Sequence, residues 1–154
     1  MSSEETDLET AKLTAPRLSR PDLYLCVAQL YGLRSSCKRA KVGVVAVREG
    51  RIVAAGYVGA PSGMPHCLDV DCEIQDGGCI RSVHAEANMI AWAARTGIAL
   101  EGTEIWCTHQ PCLNCAKLLI NVGIKKFRYD LLYRDDRGHH LLQDSGIDSQ
   151  RYER

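Results

Sequence analysis

Residues 106–117 read WCTHQPCLNCAK, with Cys112 and Cys115 set directly behind Pro111. The EIWCT run at 104–108 has the residues of a short strand, and Cys112 to Val122 reads as a buried helix ended by Gly123. The two cysteines therefore open a helix just after a strand. A C-x-x-C pair suits a metal, but two thiolates alone do not complete a metal site.

The best partner lies in SVHAEANMIAWAARTG, residues 82–97. The spacing predicts a helix from Val83 to Thr96, stopped by Gly97, with His84 and Glu86 in its first turn and an almost wholly apolar, alanine-rich remainder. Two helix starts facing each other would bring one imidazole and two sulfurs to one point. Their positive ends favour thiolate over thiol there. One His and two Cys leave the fourth tetrahedral position open, which marks a catalytic zinc and not a structural one. Zinc so held lowers the pKa of water, and Glu86, two residues from His84, is placed to move protons without ligating. A lone C-x-x-C reads equally well as a redox pair or half of a structural knuckle, and a lone helical His is more often packing. The combination is what points to chemistry.

At 154 residues, with 45% hydrophobic and 25% charged residues, the chain has the makeup of one soluble domain. Its formal net charge is zero, so no basic excess argues for nucleic acid as a partner. The opening MSSEETDLETAK has no apolar core, and no run approaches the roughly 18 apolar residues of a membrane helix. A cytoplasmic setting with reduced thiols is expected, where eight cysteines are better explained by metal than by disulfides.

Residues 1–18 read as a mobile polar tail and 19–150 as the folded domain. Ser19 looks like an N-cap ahead of Pro21 and Asp22; Leu23, Val27, Leu30 and Tyr31 recur at helical spacing, and Gly32 falls where that helix should stop. KVGVVAV (41–47) and RIVAAGY (51–57) predict a hairpin turning at Glu49-Gly50. The stretch from 58 to 82, rich in Gly, Pro, Asp and Cys, predicts a long loop that must work or be clamped. KKFRYDL predicts another strand, and RDDRGHHLLQDSGI a turn, a short helix and an edge strand. The alternation predicts an α/β fold, a mixed sheet flanked by helices.

HAE at one helix start and PCLNC at another form the pattern of the zinc deaminases. The chain resembles the deoxycytidylate (dCMP) deaminase family, in the branch that includes a late-competence-operon protein. The resemblance is carried by RSSCKRAKVGVVAV, GYVGAPSGMPHCLDVDC, HAEANMIAWAARTG, GTEIWCTHQPCLNCAKLLINVGIKKFRY, YRDDRG and LLQDSGI, from about Leu23 to Ile147. It implies a cytidine deaminase-like three-layer α/β/α sandwich with a mixed five-stranded sheet. It also implies zinc on His84, Cys112 and Cys115, and hydrolysis of dCMP to dUMP and ammonia with Glu86 shuttling protons. Substrate contacts are implied around Ala85, at Tyr57 and Val58, and at Tyr129 or Tyr133, the latter two reading equally as packing.

Arg95 resembles an arginine linked to regulation at subunit contacts, although a cation there also complements the helix C-terminus. Relatives use a position matching Cys37 for a second zinc; with Cys67, Cys72 and Cys79 it would make a closed, structural site, His66 being able to replace one thiolate. The other reading of these thiols is small buried hydrophobes, which Cys26 and Cys107 fit best. A homo-oligomer, commonly a hexamer, activated by dCTP and inhibited by dTTP is further implied. One departure stands out: relatives usually have GYNG where this chain has Gly56-Tyr57-Val58-Gly59. Val58 cannot make the asparagine's hydrogen bonds, so altered sugar, base or effector preference is expected. Against these readings stand a deaminase of a nucleobase, nucleoside or RNA adenosine, and a non-catalytic zinc-stabilised binding module. Neutral charge and only one Phe, six Tyr and two Trp argue against RNA; Glu86 argues against a module without chemistry.

Overall fold

The Ser19 hydroxyl accepts the amide of Asp22 at 3.2 Å and so starts the first helix where the sequence places it. This is a computed structural model, which describes residues 15–154; residues 1–14, most of the expected tail, lie outside the described residues. Helix α1 spans Arg20–Leu33, one residue past Gly32, which does not stop it. Gly32 is instead buried in the last turn, where a Cβ would lie 3.1 Å from both the Lys41 carbonyl oxygen and the Gly43 nitrogen. It is small because the returning chain presses on it.

Strands β1 (Gly43–Arg48) and β2 (Arg51–Tyr57) form the expected hairpin, with a register shift between Ala46 and Val47. Further on come helix α3 (Ala85–Thr96), strand β5 (Glu104–His109), helix α4 (Leu113–Asn121), strand β6 (Lys126–Leu131), helix α5 (Arg137–Asp144) and strand β7 (Asp148–Arg151). The five strands order as β2-β1-β5-β6-β7. β1 runs antiparallel to both β2 and β5, whereas β5, β6 and β7 are parallel, joined through α4 and α5. The mixed five-stranded sheet is as expected. The 58–82 stretch is less structureless than expected: it holds a short helix α2 (Cys67–Val70) and a two-stranded ribbon, β3 (Ile74–Gln75) with β4 (Gly78–Cys79).

Alternation along β1 divides the core. Val44 and Ala46 face α3, α4 and α5 with Met89, Leu119, Phe127 and Leu142, while Val45 and Val47 face α1 with Leu25 and Ala28. Met89, Leu119, Phe127 and Leu25 are fully buried, each contributing on the order of 1.5–3 kcal/mol from water exclusion. Trp106 packs between Tyr24, tilted at 55°, and Tyr152, edge-on at 76°, with ring centroids 5.8 and 5.2 Å away. β7 and Tyr152 thus carry the packed unit just past residue 150.

Two glycines set the helix starts against this frame. A Cβ on Gly56 of β2 would lie 2.5 Å from the Ala85 carbonyl oxygen and 2.8 Å from the Met89 nitrogen, so only glycine lets α3 rest there. A Cβ on Gly138 of α5 would lie 2.3 Å from the Pro111 carbonyl oxygen and 2.7 Å from that of Cys112, where the chain enters α4.

Candidate active site

His84 is the N-cap residue of α3 and Cys112 that of α4, each one position ahead of its helix. The two helix starts meet as their sequences imply. His84 Nδ1 lies 3.3 Å from Cys112 Sγ and 3.6 Å from Cys115 Sγ. The three donor atoms all fall within 4.8 Å of one another. Tetrahedral zinc with ordinary bond lengths separates its nitrogen and sulfur ligands by about 3.5 Å, so the two imidazole–sulfur separations suit zinc.

The electrostatics match the geometry. The Cys115 amide donates to Cys112 Sγ at 3.4 Å. The Cys112 thiol is pulled down to about 4, first by the hydrogen bond from the Cys115 thiol and then by His84, against the effect of burial. The Cys115 thiol is raised by its bond to Cys112 and by burial. The hydrogen bond to Cys112 also raises His84. Glu86 is 4% exposed, and burial, with the charge at Cys112 adding, pushes its carboxyl up to about 7. A buried carboxyl beside a metal donor set, titrating near neutrality, is equipped to accept and return protons.

These groups open into a cavity of about 210 Å³, lined by His84, Ala85, Glu86 and Cys112. Ala40, Val42 and Val58 give it an apolar wall. Val58 is 6% exposed and fixed by its backbone: its amide donates to the Val42 carbonyl at 3.1 Å, and its carbonyl accepts the Ser35 hydroxyl at 2.8 Å. Tyr57 points elsewhere, as strand alternation requires, into an outer groove beside Trp92, and its carbonyl accepts the Asn88 amide at 2.8 Å. Of the two tyrosine candidates, Tyr133 lines the cavity; Tyr129 is buried in the core against Phe127, ring centroids 6.4 Å apart. Gln110 links them, donating to the Tyr129 hydroxyl at 3.4 Å and accepting the Tyr133 amide at 3.1 Å. Arg95 is exposed in the last turn of α3 and does not line the cavity.

The cavity also brings in residues that sequence reasoning missed: Arg39, His109, Gln110 and Arg134, together with Gly77. The strand-to-helix loop after β5 was the available signal for His109 and Gln110, since sites gather at the carboxyl ends of parallel strands. Nothing in the local sequence of Arg39 or Arg134 distinguishes them from solvated surface arginines.

The cysteine-rich loop assembles next to this cavity. The sulfurs of Cys37, Cys67 and Cys72 all lie within 4.8 Å of one another, and Cys79 Sγ lies 3.6 Å from Cys67 Sγ. Tetrahedral zinc separates its sulfurs by about 3.8 Å, so Cys37, Cys67 and Cys72 are grouped as three donors for the ion, with Cys79 adjoining them at Cys67. Burial and the neighbouring Cys79 and Cys72 thiols push Cys67 up to about 12. Cys79 is brought to about 6: burial acts against this, but the Ser82 and Arg81 backbone amides outweigh it. His66 is exposed ahead of α2 and stands outside the cluster. Cys107 is fully buried, whereas Cys26 is partly exposed.

An imidazole and two thiols at paired helix starts, with a buried carboxyl beside them, define a metal-dependent hydrolytic centre. The family described as the cytidine and deoxycytidylate deaminase zinc-binding region matches residues 20–131. ComE operon protein 2 of Bacillus subtilis is 36% identical over 138 residues, 89% of this chain and 73% of that protein. Deoxycytidylate deaminase of Saccharomyces cerevisiae is 30% identical over 151 residues, 94% of this chain but only 47% of its own length. The dCMP deaminase of cyanophage S-TIM5, solved in complex with dCMP and dUMP, superposes with a TM-score of 0.80 at 34% identity, covering 90% of this chain and all of that one. The chain belongs to the cytidine and deoxycytidylate deaminase family, with the cytidine deaminase-like fold and the chemistry of a zinc-dependent hydrolytic deaminase.

Proposed function

We propose that the protein deaminates a cytosine deoxynucleotide, dCMP, to dUMP and ammonia. The observation that carries this reading is the shared cavity: His84, Cys112 and buried Glu86 line it, with Cys115 completing the donor set beside them, and two exposed arginines, Arg39 and Arg134, line it as well. Paired guanidiniums recognise phosphate oxygens well, so a nucleotide with its base inward and its phosphate outward suits both sets of groups. The cyanophage relative's complex with dCMP and dUMP supports the same ligand class.

His84, Cys112 and Cys115 would hold zinc, which supplies the Lewis acidity that brings water toward ionisation at neutral pH. Glu86 takes a proton from the attacking water and delivers it to the ring nitrogen N3. The water oxygen bonds to C4; Glu86 then takes the second proton from that oxygen and hands it to the exocyclic amine, so the bond from C4 to nitrogen breaks, ammonia leaves and C4 becomes a carbonyl. A carboxyl brought to about 7 can work in both directions at neutral pH. The backbone at Ala85 and the side chain of Tyr133 are the contacts proposed for the base. Ala40, Val42 and Val58 would give the base an apolar wall to pack against. Cys37, Cys67, Cys72 and Cys79 would hold a second, structural zinc.

Val58 supports a second reading, deamination of another or modified cytosine nucleotide or nucleoside, because its wall offers no hydrogen bond to the substrate. A non-catalytic module is disfavoured by Glu86, since burying a carboxyl opposes folding and no structural role needs it. A homo-oligomer fits the exposed Ile52, Tyr31 and Trp92 along the outer edge of β2. Arg95 and control by dCTP and dTTP belong with that assembly.

The test is ammonia release by zinc-loaded protein from dCMP, dCTP, 5-substituted dCMP, deoxycytidine, cytidine and adenosine, with Glu86→Gln as control and dCTP or dTTP added in separate runs. dCMP should be preferred. A zinc-loaded wild type inactive on every compound contradicts the reading.

A further inference from the structure

The two arginines lining the cavity are tied to the cysteine cluster through one carbonyl. Arg39 Nη1 donates to the Gly77 oxygen at 2.9 Å, and Arg134 Nη1 donates to the same oxygen at 2.6 Å. Gly77 sits in the turn between β3 and β4 at φ 79°, preceded by Asp76 at φ 51°, so a left-handed turn fixes where that oxygen points. β4 ends at Cys79, whose sulfur contacts Cys67. Arg39 is held at its other end too, its backbone amide donating to Cys37 Sγ at 3.4 Å. Lys38 pairs with Asp71 beside Cys72, closing the loop from the outer side.

Cys37 and Cys79 share the cavity lining with Arg39 and Arg134, whereas Cys67 is wholly buried behind them. Two guanidiniums share one neutral acceptor and stand close together, and the nearby Asp135 carboxylate is spent mainly on Arg137, which holds it low, with Arg134 adding in part. An anion placed between them would satisfy both.

We infer that the cysteine cluster sets phosphate recognition in the cavity: the loop it clamps carries the carbonyl that holds Arg39 and Arg134 ready for the nucleotide's phosphate. This rests on the nucleotide reading given above. Cys37, Cys67, Cys72, Cys79 and Gly77 are positioning residues here, acting through the arginines. The cluster therefore governs KM for a phosphorylated substrate and leaves kcat alone. A loop that only stabilised the fold would affect nucleotide and nucleoside alike.

The experiment compares wild type, Cys72→Ser and the Arg39→Ala/Arg134→Ala double variant on dCMP and deoxycytidine. Zinc content is measured for each, and dUMP binding is followed by calorimetry as a readout independent of turnover. Losing the cluster metal in Cys72→Ser should raise KM for dCMP about 10- to 100-fold, the range of charge-assisted hydrogen bonds, and weaken dUMP binding equally. kcat and the deoxycytidine reaction should be unchanged. If the double variant keeps the preference for dCMP, the arginines do not read phosphate and the nucleotide reading itself fails there. If the double variant loses the preference but metal-depleted Cys72→Ser keeps it, or loses both substrates equally, the inference is overturned while the nucleotide reading stands. Where Cys72→Ser does not fold or retains its metal, Gly77→Pro decides, because it redirects the carbonyl with every thiol intact. It should show the same selective rise in KM, and an unchanged KM overturns the inference.

Discussion

The two thiol clusters of this molecule are built in opposite ways. His84, Cys112 and Cys115 sit on helix starts docked against a buried sheet, and their donors converge because α3 and α4 are packed by Gly56 and Gly138 at backbone contact. Cys37, Cys67, Cys72 and Cys79 sit on connecting chain, where only a four-residue helix and two-residue strands give regular structure. The first site is held by the fold; the second holds its own loop. On the proposed reading, the first would leave a coordination position to chemistry because the core supplies the rigidity, while the second would need a full set of ligands to supply rigidity itself.

That contrast predicts the largest effect at Glu86. Glu86→Gln should lower kcat by about 10²–10⁴-fold, the usual scale for losing a positioned proton carrier, as measured by ammonia release. It should also stabilise the metal-free protein. A carboxyl raised from 4.5 to about 7 in the folded state favours folding most at low pH, and that contribution is lost as pH rises from 4.5 through 7. At pH 8 the substitution should therefore recover about 3 kcal/mol, and at pH 4 almost nothing, in denaturant titrations at the two pH values. Equal effects at both would break the claim that Glu86 is held against its folding preference.

Gly138→Ala probes the rigid site from outside. A methyl 2.3 Å from the Pro111 carbonyl must push α5 and the α4 entry apart, costing about 1–3 kcal/mol. It should loosen zinc at His84, Cys112 and Cys115 in chelator competition while leaving the loop cluster's metal in place. If both metals loosen together, the two sites are not separately supported.

The smallest expected effect is at Val58. Val58→Asn puts an amide into the apolar wall and should change the order of preference among dCMP, 5-substituted dCMP and deoxycytidine, with the dCMP rate moving about tenfold or less. Unchanged substrate and effector profiles would remove Val58 from any role in selectivity.

The helix-borne site was legible in the sequence because its signals are local: a proline or polar residue at a helix start, apolar spacing behind it and glycine at the end. Gly97 and Gly123, at φ 76° and 78°, follow α3 and α4 where the pattern puts them. Gly32 gave the same local signal for a different reason, a close approach by residues 41–43 that no neighbour in sequence reveals. Tyr129 could have been placed: in KFRYDL it shares a face with Phe127, the core face, which removes it from the cavity. Arg39 and Arg134 could not, since their meeting depends on the turn at Gly77, which they reach from distant parts of the chain.

The most direct test of the central claim is a zinc-edge anomalous difference map from crystals of the zinc-loaded protein. A peak is predicted about 2.0–2.3 Å from His84 Nδ1 and the sulfurs of Cys112 and Cys115, with no fourth protein ligand and Glu86 alongside. A peak closed by a fourth side chain, or none at these three residues in active protein, would contradict the account.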